Sequence, residues 1–244
     1  MLKLYLNRNE IHTFTGGSLP LSLLELHLKE NKIAGLRGMS FPRGLIHLDL
    51  SNNHITSVVG NDFPSCLRTL NLNQNMITGI LGVALPPNLT ELHLANNAIS
   101  SLEWLVLPVG LSLLDARNNR ITGISNTVCF PLRLQQILLG CNQISSVLGA
   151  EFPENLRTLD LSVNKIISFS SVVLPENLQQ LDLSGNAIAD ISSVTFPAGC
   201  QVKADKLSRR SSAASASFGH SSAGVAEQSR SSQLRVPLLP STHD

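Results

Sequence analysis

Residues 67–77 read LRTLNLNQNMI, and residues 156–166 read LRTLDLSVNKI. Both put leucine at the first, fourth and sixth positions, asparagine at the ninth and isoleucine at the eleventh. Around the fourth and sixth positions apolar and polar residues alternate. A two-residue period marks a short strand with its leucines on one face. Working outward, the asparagine recurs as Asn9, Asn31, Asn53, Asn75, Asn97, Asn119, Asn142, Asn164 and Asn186, stepping by 22 residues, once by 23. A Leu-Pro or Phe-Pro pair keeps the same beat from Leu19-Pro20 to Phe196-Pro197. A fixed period of this size signals stacked repeats.

Each unit offers six apolar positions to one side, in the third repeat Leu45, Leu48, Leu50, Ile55, Val58 and Phe63. So few buried side chains do not offset the entropy of ordering 22 residues, so one unit alone is unstable and stability must come from stacking on neighbours. The pattern resembles the leucine-rich repeat family, in a 22-residue class, from residue 1 to about residue 200. The resemblance implies an α/β-type repeat solenoid: a horseshoe with a parallel concave β-sheet and a convex side of short turns or 3₁₀ pieces. It covers nine repeats over 1–200; residues 201–207 offer a C-terminal edge strand, and the serine-dominated composition of 208–244 reads as a disordered tail.

Asparagine has no strand preference, so its recurrence needs a reason. An inward carboxamide supplies a donor and an acceptor to backbone groups left unpaired after the strand. A column of them is expected to bond those groups and one another. The return turn reads Pro86-Pro87-Asn88-Leu89 or Pro175-Glu176-Asn177-Leu178, where Pro fixes φ and Asn tolerates the left-handed region. The extra residue of the sixth repeat lies between Ile124 and Phe130, so a bulge is expected on the outer side. At the end of the array Cys200 takes the first leucine slot, after which the pattern fails because Lys203 stands where leucine should be. At the start, Met1 already occupies a leucine slot and no polar cap precedes it, which suggests a fragment, or a first repeat that frays or docks on a partner.

Charged residues are 14 % of the chain and the net charge is +1. With no basic stripe and few aromatics, nucleic acid is not an expected partner. No basic leader with an apolar stretch opens the chain, and no apolar run is long enough to span a membrane. Cys66, Cys129, Cys141 and Cys200 show neither metal-binding spacing nor paired clusters, so reduced thiols and a cytoplasmic location are expected. The sequon Asn88-Leu89-Thr90 points the other way, but a match of three residues arises readily by chance. In the tail, Arg209-Arg210-Ser211-Ser212 suits a basic-directed kinase, but a solvated low-complexity linker is the preferred reading, and Val236–Pro240 reads equally as a docking peptide or as the remnant of a truncated downstream domain.

Side chains at the third, fifth and seventh positions face away from the core. The partner-binding face is therefore expected to centre on the fifth-position row: Tyr5, His27, Asp49, Asn71, His93, Asp115, Leu138, Asp160 and Asp182, with Leu113 and Arg117 beside it. Asp160 and Asp182 lie side by side, a repulsion that solvation or a basic partner relieves. Leu113 and Leu138 interrupt a polar surface, as interface anchors or as scattered exposed leucines. Glu25 neighbours His47, and His27 neighbours Asp49, but parallel side chains converge poorly on a metal, so charge pairing is the reading there. No nucleophile–base motif, phosphate loop or HExxH occurs, so neither an enzyme nor a cofactor is expected. The expectation is a monomeric scaffold that holds another protein, with a basic patch on that partner as one way to meet the acidic row. The alternative is the recognition arm of a larger signalling protein, since similar arrays precede kinase domains in some receptor-like kinases.

Overall fold

The structure, a computed structural model, describes residues 2–13, 19–60, 62–170, 172–205 and a strand at 233–234. One strand per repeat builds a single sheet. They are β1 (Leu2–Tyr5), β2 (Leu23–His27), β3 (His47–Asp49), β4 (Thr69–Asn71), β5 (Glu91–His93), β6 (Leu113–Asp115), β7 (Gln136–Leu138), β8 (Thr158–Asp160), β9 (Gln180–Asp182) and β10 (Gln201–Lys203). Neighbours in sequence are neighbours in the sheet, and every pair from β1 to β10 is parallel. The register aligns equivalent repeat positions, so His27, Asp49, Asn71 and His93 form one row and Leu26, Leu48, Leu70 and Leu92 another. A short strand, β11 (Gln233–Leu234), pairs antiparallel with β10. The rest of the 208–244 segment, with its Arg-Arg-Ser-Ser and Val-Pro-Leu-Leu-Pro stretches, lies outside the described residues.

The six inward positions of the third repeat are all buried, as are their counterparts through most of the array. Beyond the strand, an outer column of Leu36, Val58, Ile80, Leu102, Ile124, Val147, Phe169 and Ile191 closes the core. Single turns follow, such as Val83 N–H to Ile80 C=O and Leu105 N–H to Leu102 C=O. No helix, 3₁₀ included, occurs among the described residues. Gly38, Gly60, Gly82 and Gly149 sit in these turns at positive φ, a conformation that does not propagate a helix. The sixth repeat absorbs its extra residue after Ile124, where the turn runs from Ser125 to Val128. No helix of the described residues is long and apolar enough to cross a membrane.

Lys203 corrects the reading of the array's end. β10 pairs Val202 with Leu181 and Lys203 with Asp182, so one residue is missing between the first and third slots of the tenth repeat. That deletion restores the alternation: Cys200, Val202 and Ala204 are buried, and Lys203 faces outward to Asp182 at 3.7 Å.

The asparagine column departs from expectation in one respect. Each carboxamide bonds backbone, and among the described residues none bonds another ladder asparagine. Asn53 accepts from Ile33 N–H of the repeat before and donates to Leu28 C=O of that repeat and to Leu50 C=O of its own. Leu50 C=O also accepts from Asn75 of the next repeat. Strands lie about 4.8 Å apart, too far for direct amide contact, so a carbonyl links each pair of carboxamides.

The residue before each ladder asparagine is left-handed: Arg8, Glu30, Asn52, Gln74, Asn96, Asn118, Cys141, Val163 and Gly185 all have φ between 51° and 69°. Asparagine and glycine tolerate this region, whereas a β-branched residue does not. Val163, at φ 51°, is therefore strained and largely exposed. Val163→Asn is expected to stabilise the protein by about 1 kcal/mol. A urea midpoint that stays put or falls would contradict this.

Candidate functional site

In each three-residue strand from β3 to β10 the middle residue is buried and the two flanking ones face the concave side. The fifth-position row is thus presented as one surface, and its members differ in accessibility. Tyr5 and Arg117 are exposed; His27, Asp49, Asn71, His93, Leu138, Asp160 and Asp182 are half-buried, as is Leu113 beside them. Asp115 is buried at 4 % exposure, and both its oxygens are taken by the Arg117 guanidinium at 2.9 and 2.8 Å. That pairing raises the Arg117 pKa further. Asp115 is accordingly part of the sheet's own packing more than of an open surface.

The row also has a structural duty that explains its composition. Asp49, Asn71, Asp115, Asp160 and Asp182 each accept, through Oδ1, the backbone N–H two residues on, at 2.9 to 3.2 Å. These are local side-chain-to-backbone bonds that satisfy the end of each strand. Ser162 and Ser184 add their hydroxyls to the same oxygens of Asp160 and Asp182. His27 and His93 make no such bond. In their repeats the N–H is satisfied from the repeat before, Lys29 by Asn7 and Ala95 by Asn73. Asparagine at the seventh position thus accompanies histidine at the fifth position of the next repeat.

Every lysine and arginine on the concave rows has a carboxylate: Lys3 with Glu25 at 2.9 Å, Lys29 with Glu30 at 3.5 Å, Arg117 with Asp115 and Lys203 with Asp182. The carboxylates outnumber these cations. Among the described residues Asp49, Glu91 and Asp160 have no lysine or arginine within ion-pair distance, although Glu91 has His93 at 3.4 Å. Asp160 leans over Gly140, where a Cβ would come within 2.8 Å of its Oδ2. The glycine therefore gives that carboxylate room on the side away from Asp182.

Near β2 to β4 the face carries a recess of about 280 Å³ lined by Glu25, His27, His47, Asp49, Thr69 and Asn71. Glu25 is almost fully buried, and the Lys3 ammonium against it holds its carboxyl below the usual range. The Tyr5 ring stacks on His27 with centroids 4.5 Å apart. His27 Nε2 lies 3.6 Å from Glu25, too far for a good hydrogen bond, and is shut off from solvent with no partner. Among the described residues no group of three or more His, Cys, Asp and Glu side chains is placed to hold a metal ion.

Reading the sequence brought Glu25, His27, His47 and Asp49 together, and the sheet does place them on adjacent strands. It missed Lys3, Ser162, Ser184, Gly140 and Lys203. The recurring Asp-x-Ser spacing was the available signal for the two serines. Lys203 was hidden by the deletion in the tenth repeat.

Family models described as leucine rich repeats match residues 21–77, 86–101 and, as two copies, 154–196. No curated protein sequence matches the chain. Among solved structures, YopM from Yersinia enterocolitica WA-314 is similar at 28 % identity and TM-score 0.69, over 84 % of this chain and 42 % of that one. The structure of the TLR13–ssRNA13 complex matches at 26 % identity and TM-score 0.64, over 77 % of this chain and 30 % of that one. An internalin, inlF from Listeria monocytogenes, shares the fold at 22 % identity and TM-score 0.62, over 82 % of this chain and 65 % of its own. The chain thus spans less than two thirds of each of these proteins.

Proposed function

Because the chain belongs to the leucine-rich repeat family, we propose that it is a non-enzymatic scaffold that holds another protein against the concave face of its sheet. The observation that carries this reading is the charge balance of that face. Its lysines and arginines are all paired, while among the described residues Asp49, Glu91 and Asp160 have no lysine or arginine within ion-pair distance. Leu113 and Leu138 supply half-buried apolar contact in its middle. Such a face suits a partner with a basic patch around an aliphatic centre. TLR13 was solved with single-stranded RNA, but here no free cation of the concave rows is available for phosphates, so protein is the favoured ligand. Four free thiols, Cys66, Cys129 and Cys141 among them exposed, support a reducing compartment such as the cytoplasm.

The test is affinity capture with the full chain against a variant carrying Leu138→Asn, Asp160→Asn and Asp182→Asn. Asparagine keeps the strand-end bond, as Asn71 shows, so the variant should fold with unchanged circular dichroism. Loss of the specific partner from the variant is expected. Equal recovery by both proteins removes this face from the function.

A further inference from the structure

The recess beside β2 and β3 is built from groups that the fold does not require in that form. In the fifth-position row, His27 forgoes the strand-end bond that aspartate or asparagine makes in other repeats, and Asn7 restores it from the repeat before. The imidazole is then fixed by stacking under Tyr5. Tyr5, His27 and Asp49 follow one another along the row, so the face of His27 away from Tyr5 turns toward Asp49. Nε2 of His27 lies 3.6 Å from Glu25 and is shut off from solvent, so the imidazole offers the recess its ring face. Asp49 uses Oδ1 for Ser51 N–H, and among the described residues no hydrogen bond reaches its Oδ2. Thr69 adds a hydroxyl to the lining.

The charges facing the recess come from three strands. β1 gives Lys3, β2 gives Glu25, and β3 gives Asp49; Tyr5, His27 and His47 are the other titratable groups, and β4 contributes only Thr69 and Asn71. Lys3 neutralises Glu25, which leaves the Asp49 carboxylate as the uncompensated charge. A monovalent cation with several N–H donors and no acceptor fits the oxygens of Asp49 and Thr69 beside the imidazole face. A flat cation in this recess can lie against the ring face of His27 while its edge reaches the shorter Asp49 carboxylate. Guanidinium has both properties, whereas ammonium is a compact point charge.

We infer that this recess is a receptacle for an arginine side chain, stacked on His27 and bonded to Asp49. Resting on the scaffold reading, it specifies the chemistry of one contact on the partner. The probe is the peptide acetyl-Gly-Arg-Gly-amide, titrated into the full chain while histidine ring resonances are followed by NMR. Saturable shifts confined to His27 and His47 are expected, with His93 as the internal reference. Asp49→Asn keeps the strand-end bond and should weaken binding about tenfold or more. Absence of a saturable shift, or a shift matched by acetyl-Gly-Gln-Gly-amide, overturns the site. Equal binding of acetyl-Gly-Lys-Gly-amide overturns the guanidinium assignment, and an unchanged affinity of Asp49→Asn overturns the role of Asp49. The readout needs no partner protein, so a negative result here leaves the capture experiment standing, and failure of the capture experiment leaves this one interpretable.

Discussion

Replacing Asn119 with alanine is expected to cost about 3–4 kcal/mol of stability. Its carboxamide is buried and sits in the middle of the array. Nδ2 donates to Leu94 C=O at 2.9 Å, Ala116 C=O at 3.1 Å and Arg117 C=O at 3.1 Å, and Oδ1 accepts from Ile99 N–H at 2.9 Å. The losses are unequal. Leu94 C=O keeps Asn97, and Ala116 C=O keeps Asn142, so those carbonyls are not abandoned. Ile99 N–H has no substitute, and a buried donor left alone costs about 1–3 kcal/mol. The missing net bonds and the small cavity supply the remainder. Asn119→Asp tests the logic further, because it keeps an acceptor for Ile99 but sets a carboxylate against three carbonyls, and it should be no better than alanine. Urea titration followed by far-ultraviolet circular dichroism measures both. A loss under about 1 kcal/mol for alanine would show that the column is dispensable.

The second large effect is expected at Phe169. It is the bulkiest fully buried side chain, in an outer column filled elsewhere by leucine, isoleucine and valine. Phe169→Ala removes a ring that packing cannot replace, at about 3–5 kcal/mol. Phe169→Ile, a residue the same column accepts at 80, 124 and 191, should cost no more than about 1.5 kcal/mol. Because each layer is stabilised chiefly by its neighbours, the alanine variant should open the last repeats before the first. Hydrogen exchange would report this as protection lost around β8 and β9 while β3 to β5 stay protected. Uniform loss across the array would instead indicate a single cooperative unit.

The repeat architecture was legible because three independent signals share one period: the leucine alternation, the asparagine and the Pro turn. Each reflects a separate physical demand, and their coincidence leaves little room for another fold. The left-handed column was not legible. Asn52, Asn96 and Asn118 suggest it, but Glu30, Gln74, Cys141 and Val163 occupy the same conformation. There the ladder on either side fixes the backbone whatever the residue prefers. The tenth strand was misread because a one-residue deletion exchanges the two faces, so Lys203 looked inward. The candidate face was visible as rows of residues, yet their pairing was not. Asp115 looked like a surface acid and is held inside by Arg117, two residues away. Partners that reach across neighbouring repeats, such as Lys3 to Glu25, depend on rotamers that spacing alone does not set.

The bonds that the ladder asparagines make between repeats run in one direction. Asn31, Asn53, Asn75 and their counterparts reach back to the repeat before and never forward. Each unit is therefore completed only when its successor arrives. During synthesis on the ribosome, a freshly emerged repeat is therefore expected to lock the one already outside the exit tunnel, so that assembly runs from the amino end like a zip drawn by the growing chain.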